Sequence, residues 1–242
     1  MTEVRNRWTT IVGAVLAGGE SRRMGRDKAM LNWDGRTLLV RAVRVLESVF
    51  DEVIVVAPRD RGYEERGVEI VPDIRPGLGP LGGLHTALVH GGGKPVYILA
   101  CDMPYVSSDM VHWIVGPPIR NPMRRLAGDR ASTIQTRVVH DGHQLQPLCG
   151  LYSEFCLPEI ERALDANRLS AQSLLEELEI ETLVLDSRQS WYRPDLLLNV
   201  NELGSFAALT TRQGEKAQRK CTQQECDGTS SDTPGKAGGM NL

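Results

Sequence analysis

The chain has 242 residues, with 28 basic residues against 31 acidic ones and a net charge of −3, so no global basic field draws it to nucleic acid or to an anionic membrane surface. It is long enough to bury a sizeable core as one large domain, and no apolar run approaches the ~20 residues needed to span a bilayer. The five cysteines (Cys101, Cys149, Cys156, Cys221, Cys226) are odd in number and scattered, which fits a reducing compartment rather than a disulfide framework.

Residues 1–9 are polar and read as a frayed start. Residues 10–16 form a near-continuous apolar run, the signature of a strand buried on both faces of a parallel sheet. That run meets Gly18-Gly19 and then Ser21, Arg22, Arg23, Gly25, Arg26 and Lys28. Glycines admit close backbone approach, and the basic residues supply charge-assisted donors, as a polyphosphate-binding loop requires. The spacing is not that of the ATPase P-loop: five residues separate Gly19 from Gly25, and Ala29 offers no hydroxyl to Mg²⁺. Nor is there a Gly-x-Gly-x-x-Gly fingerprint. Arg22-Arg23 precedes charged residues rather than an apolar segment, so no export signal is read and a cytoplasmic protein is expected.

Thr37 is placed to cap a helix with Leu38, Leu39, Ala42, Val43 and Leu46 at helical spacing. Residues 52–57 and 67–71 read as two further strands. Strands alternating with helices predict βαβ units and a doubly wound, mostly parallel sheet with helices on both faces. Ligands in such sheets bind outside the carboxyl ends of the strands, which sends the opening loop, Asp73 and Asp102 to one rim.

Prolines and glycines in residues 72–80 forbid regular structure until Pro80, which fits the first turn of a helix over 81–90. Asp73 is suited to accept paired N–H bonds from a purine edge such as guanine's; otherwise it is a surface carboxylate on a rigid loop. Residues 96–100 form another apolar strand ending at Cys101-Asp102-Met103-Pro104. Asp102 there either caps a helix or holds Mg²⁺, which takes one or two carboxylates plus phosphate oxygens and waters.

Ser107 or Ser108 caps a short helix that Pro117-Pro118 ends, and residues 120–130 read as a solvated basic loop including Arg124 and Arg125. Over 131–152 the period shifts to two, and Asp141-Gly142 signals a small β-hairpin insertion. His140 and His143 flank that turn as bystanders. Pro158 and Ser170 start two helices, and residues 180–185 return as a strand. Leu196 to Asn201 ends in two amides at alternate positions. A last helix is expected over 202–212 and a disordered tail over 213–242, where Cys221 and Cys226 have no second pair to complete a zinc site. The domain plan is therefore a flexible start (1–9), one folded domain (10–212) and the tail.

The ordered residues Leu16-Ala17-Gly18-Gly19-x-Ser21-x-Arg23-Met24-Gly25-x-Asp27-Lys28-Ala29 resemble the signature loop of the nucleotidyltransferase family that includes molybdenum cofactor guanylyltransferase. Asp73-x-x-Pro76-Gly77-x-Gly79-Pro80-Leu81, Cys101-Asp102-Met103-Pro104 and Asn199-x-Asn201 follow in the family's order, so the resemblance covers roughly residues 10–212. It implies a Rossmann-like nucleotidyltransferase fold and transfer of GMP from GTP to the phosphate of molybdenum-carrying molybdopterin, releasing pyrophosphate. It assigns catalysis to Arg22, Arg23, Lys28 and Asp102, and nucleotide contacts to Leu16, Ala17, Gly18, Gly19, Ser21, Lys28 and Asp73. Mg²⁺ falls to Asp102 and Asn201, and the acceptor to Pro147, Leu148, Asn199 and Asn201.

Beyond GTP and molybdopterin, the resemblance implies transient contacts with molybdenum-insertion proteins and apo-molybdoenzymes. The sequence departs from the family where His often precedes Pro147, here Gln146; at Glu202-Leu203, which replaces Thr-Pro; and at Val56, which offers only backbone to a nucleotide. A cytidylyltransferase, a sugar-phosphate nucleotidyltransferase and a non-catalytic nucleotide sensor are the alternatives. The Leu-Ala-Gly-Gly opening favours guanine over cytosine, and the presence of both the basic loop and Asp102 argues against a sensor.

Overall fold

The computed structural model describes residues 7–18, 27–63, 67–116 and 136–200. Among these residues, β1 (Trp8–Leu16) lies third in a seven-stranded sheet, paired in parallel with β4 (Phe50–Val56) on one side and β6 (Val96–Ala100) on the other. Ile11 and Val15 of β1 join one core cluster while Val12 and Ala14 join another. Alternate side chains thus enter opposite faces, and both faces are covered, which is why this strand reads as an unbroken apolar run.

One face is covered by α1 (Leu38–Glu47) and α3 (Ser108–Val115), with Leu196 and Leu197. The other carries α2 (Gly79–Gly91), α4 (Leu157–Asp165) and the short α5 (Ala171–Leu174). Leu38, Leu39, Ala42, Val43 and Leu46 are the buried residues of α1, the set its spacing predicts. The expected caps are in place: Thr37 Oγ1 accepts the Val40 N–H at 3.3 Å, Ser107 Oγ that of Met110 at 3.3 Å, and Ser170 Oγ that of Ser173 at 3.1 Å. Pro80 and Pro158 sit in the first turns of α2 and α4, where the missing N–H costs nothing.

With β5 (Glu69–Val71), β7 (Thr136–His140), β8 (Leu145–Tyr152) and β9 (Ile180–Val184), the sheet runs β5-β4-β1-β6-β8-β7-β9. The chain steps from β1 outward to β4 and β5, then returns past β1 to β6. This reversal is the switch point of a doubly wound fold, and it opens a crevice at the carboxyl ends of β1 and β6. Only β8 runs against its neighbours, so the sheet is mostly parallel, as expected.

Two details differ from the sequence expectation. The predicted period of two holds in its described part, with Val138 packing into one cluster and Val139 into the other, but Thr136 to Val139 are all buried, because helices cover both faces here too. The Asp141-Gly142 hairpin forms, with Asp141 Oδ1 accepting the N–H groups of His143 (2.7 Å) and Gln144 (2.8 Å), and its strands extend the main sheet. A separate antiparallel pair, β2 (Asn32–Trp33) and β3 (Arg36–Thr37), turns at Asp34 and Gly35, whose φ values of 52° and 78° are those of an Asp-Gly hairpin turn. The basic loop at 120–130, the helix expected over 202–212 and the tail over 213–242 lie outside the described residues. Among the described residues no helix is long and apolar enough to cross a membrane.

Candidate active site

The ends of the three central strands are in register, with Leu16 opposite both Val56 and Ala100. Beyond them the rim is knitted by backbone bonds: Ala17 N–H donates to the Val56 carbonyl at 3.0 Å, Cys101 N–H to the Leu16 carbonyl at 3.2 Å, and Ala57 N–H to the Val71 carbonyl at 3.1 Å. The expectation that Leu16, Ala17 and Gly18 all offer backbone groups to a base is thereby narrowed. The Ala17 N–H is committed to Val56, the Leu16 carbonyl already serves Cys101, and Gly18 is the residue whose missing side chain opens onto Asp73.

A methyl group at Gly18 would lie 3.3 Å from Asp73 Oδ2, and one at Gly83 would lie 3.8 Å from Asp73 Oδ1. Two glycines therefore leave room on either side of this carboxylate. Asp73 Oδ1 is buried and has no hydrogen-bond partner among the described residues. Burial also holds the Asp73 carboxyl above the usual carboxylate range. Its loop is fixed, since Ile74 N–H donates to Thr86 Oγ1 on α2 at 3.0 Å and Arg75 Nη1 lies 2.7 Å from Asp165 Oδ1 on α4. A rigidly held acceptor with nothing to accept from is costly, and such a group calls for a partner. The geometry suits a planar ligand with adjacent N–H donors.

Asp102 stands at the exit of β6. Burial raises its carboxyl, against the opposing pull of the Lys28 ammonium and of its own backbone N–H. Its backbone is tied down from several sides: Val200 N–H donates to the Asp102 carbonyl at 2.9 Å, which brings Asn199 beside it, and Arg41 Nε donates to the Pro104 carbonyl. Buried Trp33 meets Tyr105 edge-on at 5.6 Å, and the Arg193 guanidinium lies 4.6 Å over the Tyr105 ring. Among the described residues no group of three or more His, Cys, Asp or Glu side chains gathers to hold a metal. A single carboxylate is nonetheless enough for Mg²⁺, which keeps waters and phosphate oxygens for its remaining positions.

Lys28 opens a one-turn 3₁₀ helix, Lys28–Met30, capped by Asp27. Asp27 Oδ1 accepts the Ala29 N–H at 3.0 Å, while Oδ2 receives the Tyr63 hydroxyl and lies 3.2 Å from Arg61 Nη1. The loop signature contains Asp27 without giving it a role, and nothing in the sequence singles out Arg61 or Tyr63. Asp27 was visible as the residue before the loop lysine, but Tyr63 lies 36 positions further on and carries no local signal.

Next to β6, β8 runs antiparallel with Cys149 opposite Leu99, so residues 145–148 reach the same rim as Asp102. Between β7 and β8 the register jumps from Val138–Gly150 to Val139–Gln146, and residues 147–149 bulge out of that ladder. The Pro147 carbonyl accepts the Tyr152 hydroxyl at 2.6 Å, and Leu148 packs against both core clusters, so packing is part of its role. Gln146, where the family often has His, braces the hairpin: its Nε2 donates to Asp141 Oδ2 at 2.6 Å. Burial would raise the Asp141 carboxyl, but that bond and the N–H groups of Gln144 and His143 outweigh it and hold Asp141 low. His140 Nδ1 accepts the Gly142 N–H at 3.0 Å, a turn bond rather than a ligand set. Leu16, Ala17, Gly18, Lys28, Asp73, Asp102, Pro147, Leu148 and Asn199 thus belong to one rim. Gly19, Ser21, Arg22, Arg23 and Asn201 lie outside the described residues.

Residues 13–182 match the family described as the MobA-like NTP transferase domain. The chain is 33% identical over 156 residues to a probable molybdenum cofactor guanylyltransferase of Pelotomaculum thermopropionicum, covering 64% of this chain and 70% of that one. It is 30% identical over 210 residues to a molybdenum cofactor guanylyltransferase of Desulfosudis oleivorans, covering 86% and 94%. In three dimensions it resembles the molybdopterin-guanine dinucleotide biosynthesis protein A of Archaeoglobus fulgidus, with a TM-score of 0.65 over 88% of this chain and 99% of that one at 19% identity.

Proposed function

This chain belongs to the MobA-like NTP transferase family, and from that premise we propose that it transfers GMP from GTP to the phosphate of molybdenum-carrying molybdopterin. The products are the guanine dinucleotide cofactor and pyrophosphate. The observation that carries the guanine assignment is the buried, unpartnered Oδ1 of Asp73 between Gly18 and Gly83. Guanine presents N1–H and N2–H side by side to such a carboxylate, whereas cytosine presents a single amino group there.

The reaction joins an acceptor phosphate oxygen to the α-phosphorus and breaks the bond from that phosphorus to the β-phosphate bridging oxygen. A phosphate monoester is already anionic near neutral pH, so the site needs no strong general base. It must place the two reactants in line and neutralise charge. Lys28, whose ammonium acts on Asp102 across the strand ends, is assigned to the oxygens that gain charge as pyrophosphate leaves, together with Arg22 and Arg23. Asp102 would hold Mg²⁺, with Asn201 as a second ligand, and the metal when bound supplies charge neutralisation to the phosphates. Asn199, carried to Asp102 by the Val200 hydrogen bond, is assigned to the acceptor with Pro147 and Leu148.

On this reading the product passes to molybdenum-insertion proteins and apo-molybdoenzymes, and the scattered cysteines support a cytoplasmic setting. The test is to incubate purified protein with molybdopterin, Mg²⁺ and each labelled triphosphate in turn. Pyrophosphate release is expected from GTP. Preferential release from CTP would overturn the guanine assignment, and nucleotide binding without any release would leave a sensor.

A further inference from the structure

The turn that presents Lys28 is three residues long, too short to hold its own shape. Its N-terminal residue is clamped from outside. Asp27 uses Oδ1 to cap the turn through the Ala29 N–H, and its other oxygen receives the Tyr63 hydroxyl and pairs with Arg61. Tyr63 is fully buried, and its ring packs in the same core cluster as Ala29, Ala100 and Met103. The phenol is therefore anchored to the floor of the strand-end crevice while its one polar atom meets the residue before Lys28. Burial, and after it the bond to Asp27, hold the Tyr63 phenol well above its ordinary pKa, so the hydroxyl stays a donor at any physiological pH. The Lys28 ammonium in turn acts on Cys101 and Asp102 at the end of β6. Where the turn sits decides where that charge sits.

We propose that Tyr63, through its hydrogen bond to Asp27, is a positioning residue that fixes Lys28 against the phosphates of the nucleotide, with Arg61 as a second brace on the same carboxylate. This rests on the phosphate role assigned to Lys28 above. Catalysis by positioned charge is sensitive to small displacements of the charged group, so losing the brace degrades the contribution of Lys28. A hydroxyl that merely stabilised the fold would have an effect independent of Lys28. The two roles separate in a double-mutant cycle.

The cycle compares the full-length wild type, Tyr63→Phe, Lys28→Ala and the double variant. The readouts are kcat/KM for pyrophosphate release from GTP, the Kd for Mg²⁺-GTP by calorimetry, and the thermal midpoint. Phenylalanine keeps the buried ring, so the variant folds. Tyr63→Phe alone is expected to lower kcat/KM about tenfold, the scale of one hydrogen bond to a charged group, with the KM for the acceptor unchanged. In the Lys28→Ala background the same change is expected to cost less than about twofold. Asp27→Asn, which keeps an acceptor for Ala29 but offers Tyr63 an amide, should match Tyr63→Phe and add nothing to it. Equal losses in both backgrounds, or no loss from Tyr63→Phe, would overturn the proposal. If the wild type releases pyrophosphate from no triphosphate, the transfer reading fails separately. Titration of the same four proteins with GTP then decides the positioning role: coupled losses of affinity sustain it and additive ones overturn it.

Discussion

Asp73 is held at a cost that asparagine would avoid. Its Oδ1 is buried without a partner and burial raises its carboxyl, so the folded chain binds this proton more tightly than the unfolded chain does. The associated stability is present below the unfolded carboxylate range and is lost as pH rises through the folded value. At neutral pH the ionised group is therefore a liability in the nucleotide-free protein. Asp73→Asn is expected to raise the thermal midpoint without nucleotide and to weaken GTP binding by about tenfold or more, because the amide puts a donor NH2 where the carboxylate has its second acceptor oxygen. Scanning calorimetry with and without GTP checks both signs, and a lowered midpoint in the nucleotide-free variant would mean that Asp73 is structural. For Lys28→Ala the expectation is a loss of at least tenfold in turnover, that is, of at least about 1.4 kcal/mol of transition-state stabilisation. An unchanged rate would confine the lysine to binding. Asp102→Ala should abolish turnover while circular dichroism shows the fold retained, and full activity in that variant would remove the metal assignment.

At the scale of elements, the sequence was most legible where one residue type does one local job. The helical spacing of α1, the Ser and Thr caps and the strand runs of β1, β4 and β6 all follow from short-range rules, and the structure places them within a few residues of expectation. The parts that escaped are long-range. Arg137 is buried on β7, where its guanidinium donates to the Ile114 carbonyl at the end of α3 and to Glu181 of β9 at 2.8 Å; its position in an extended run predicts only a solvent-facing side chain. The bulge at 147–149 was invisible for the same reason. A register jump leaves no periodic trace, although Gly150 marks it: a methyl there would lie 2.7 Å from the Arg137 carbonyl oxygen and 2.8 Å from Val138 Cγ1. Gly150→Ala is accordingly expected to destabilise the protein by about 1–3 kcal/mol, as overpacking of a well-filled site does. Chemical denaturation measures it, and a neutral substitution would show that β7 and β8 can shift apart without penalty.

Across the whole molecule the switch point divides the labour. The β1, β4 and β5 side contributes Gly18 and Asp73, and the β6, β8 and β7 side contributes Asp102 with the Pro147–Leu148 bulge; the two are joined by the β1–β6 ladder, and these residues face each other at its carboxyl end. Doubly wound topology made this rim legible in advance, since alternating strands and helices dictate where ligands bind. It could not show that the segment ending at Val200 returns to hydrogen-bond Asp102, next to Asn199, to which we assign the acceptor. If the division is real, the two substrates are separable by mutation. Asn199→Ala is expected to raise the KM for molybdopterin about tenfold, the scale of one lost polar contact, and to leave the Kd for GTP unchanged. GTP at 100 times its Kd should then stabilise wild type and Asn199→Ala equally, by about 2.7 kcal/mol, and Asp73→Asn much less at the same concentration. A loss of GTP-induced stabilisation in Asn199→Ala would place that amide on the nucleotide and break the division at the switch point.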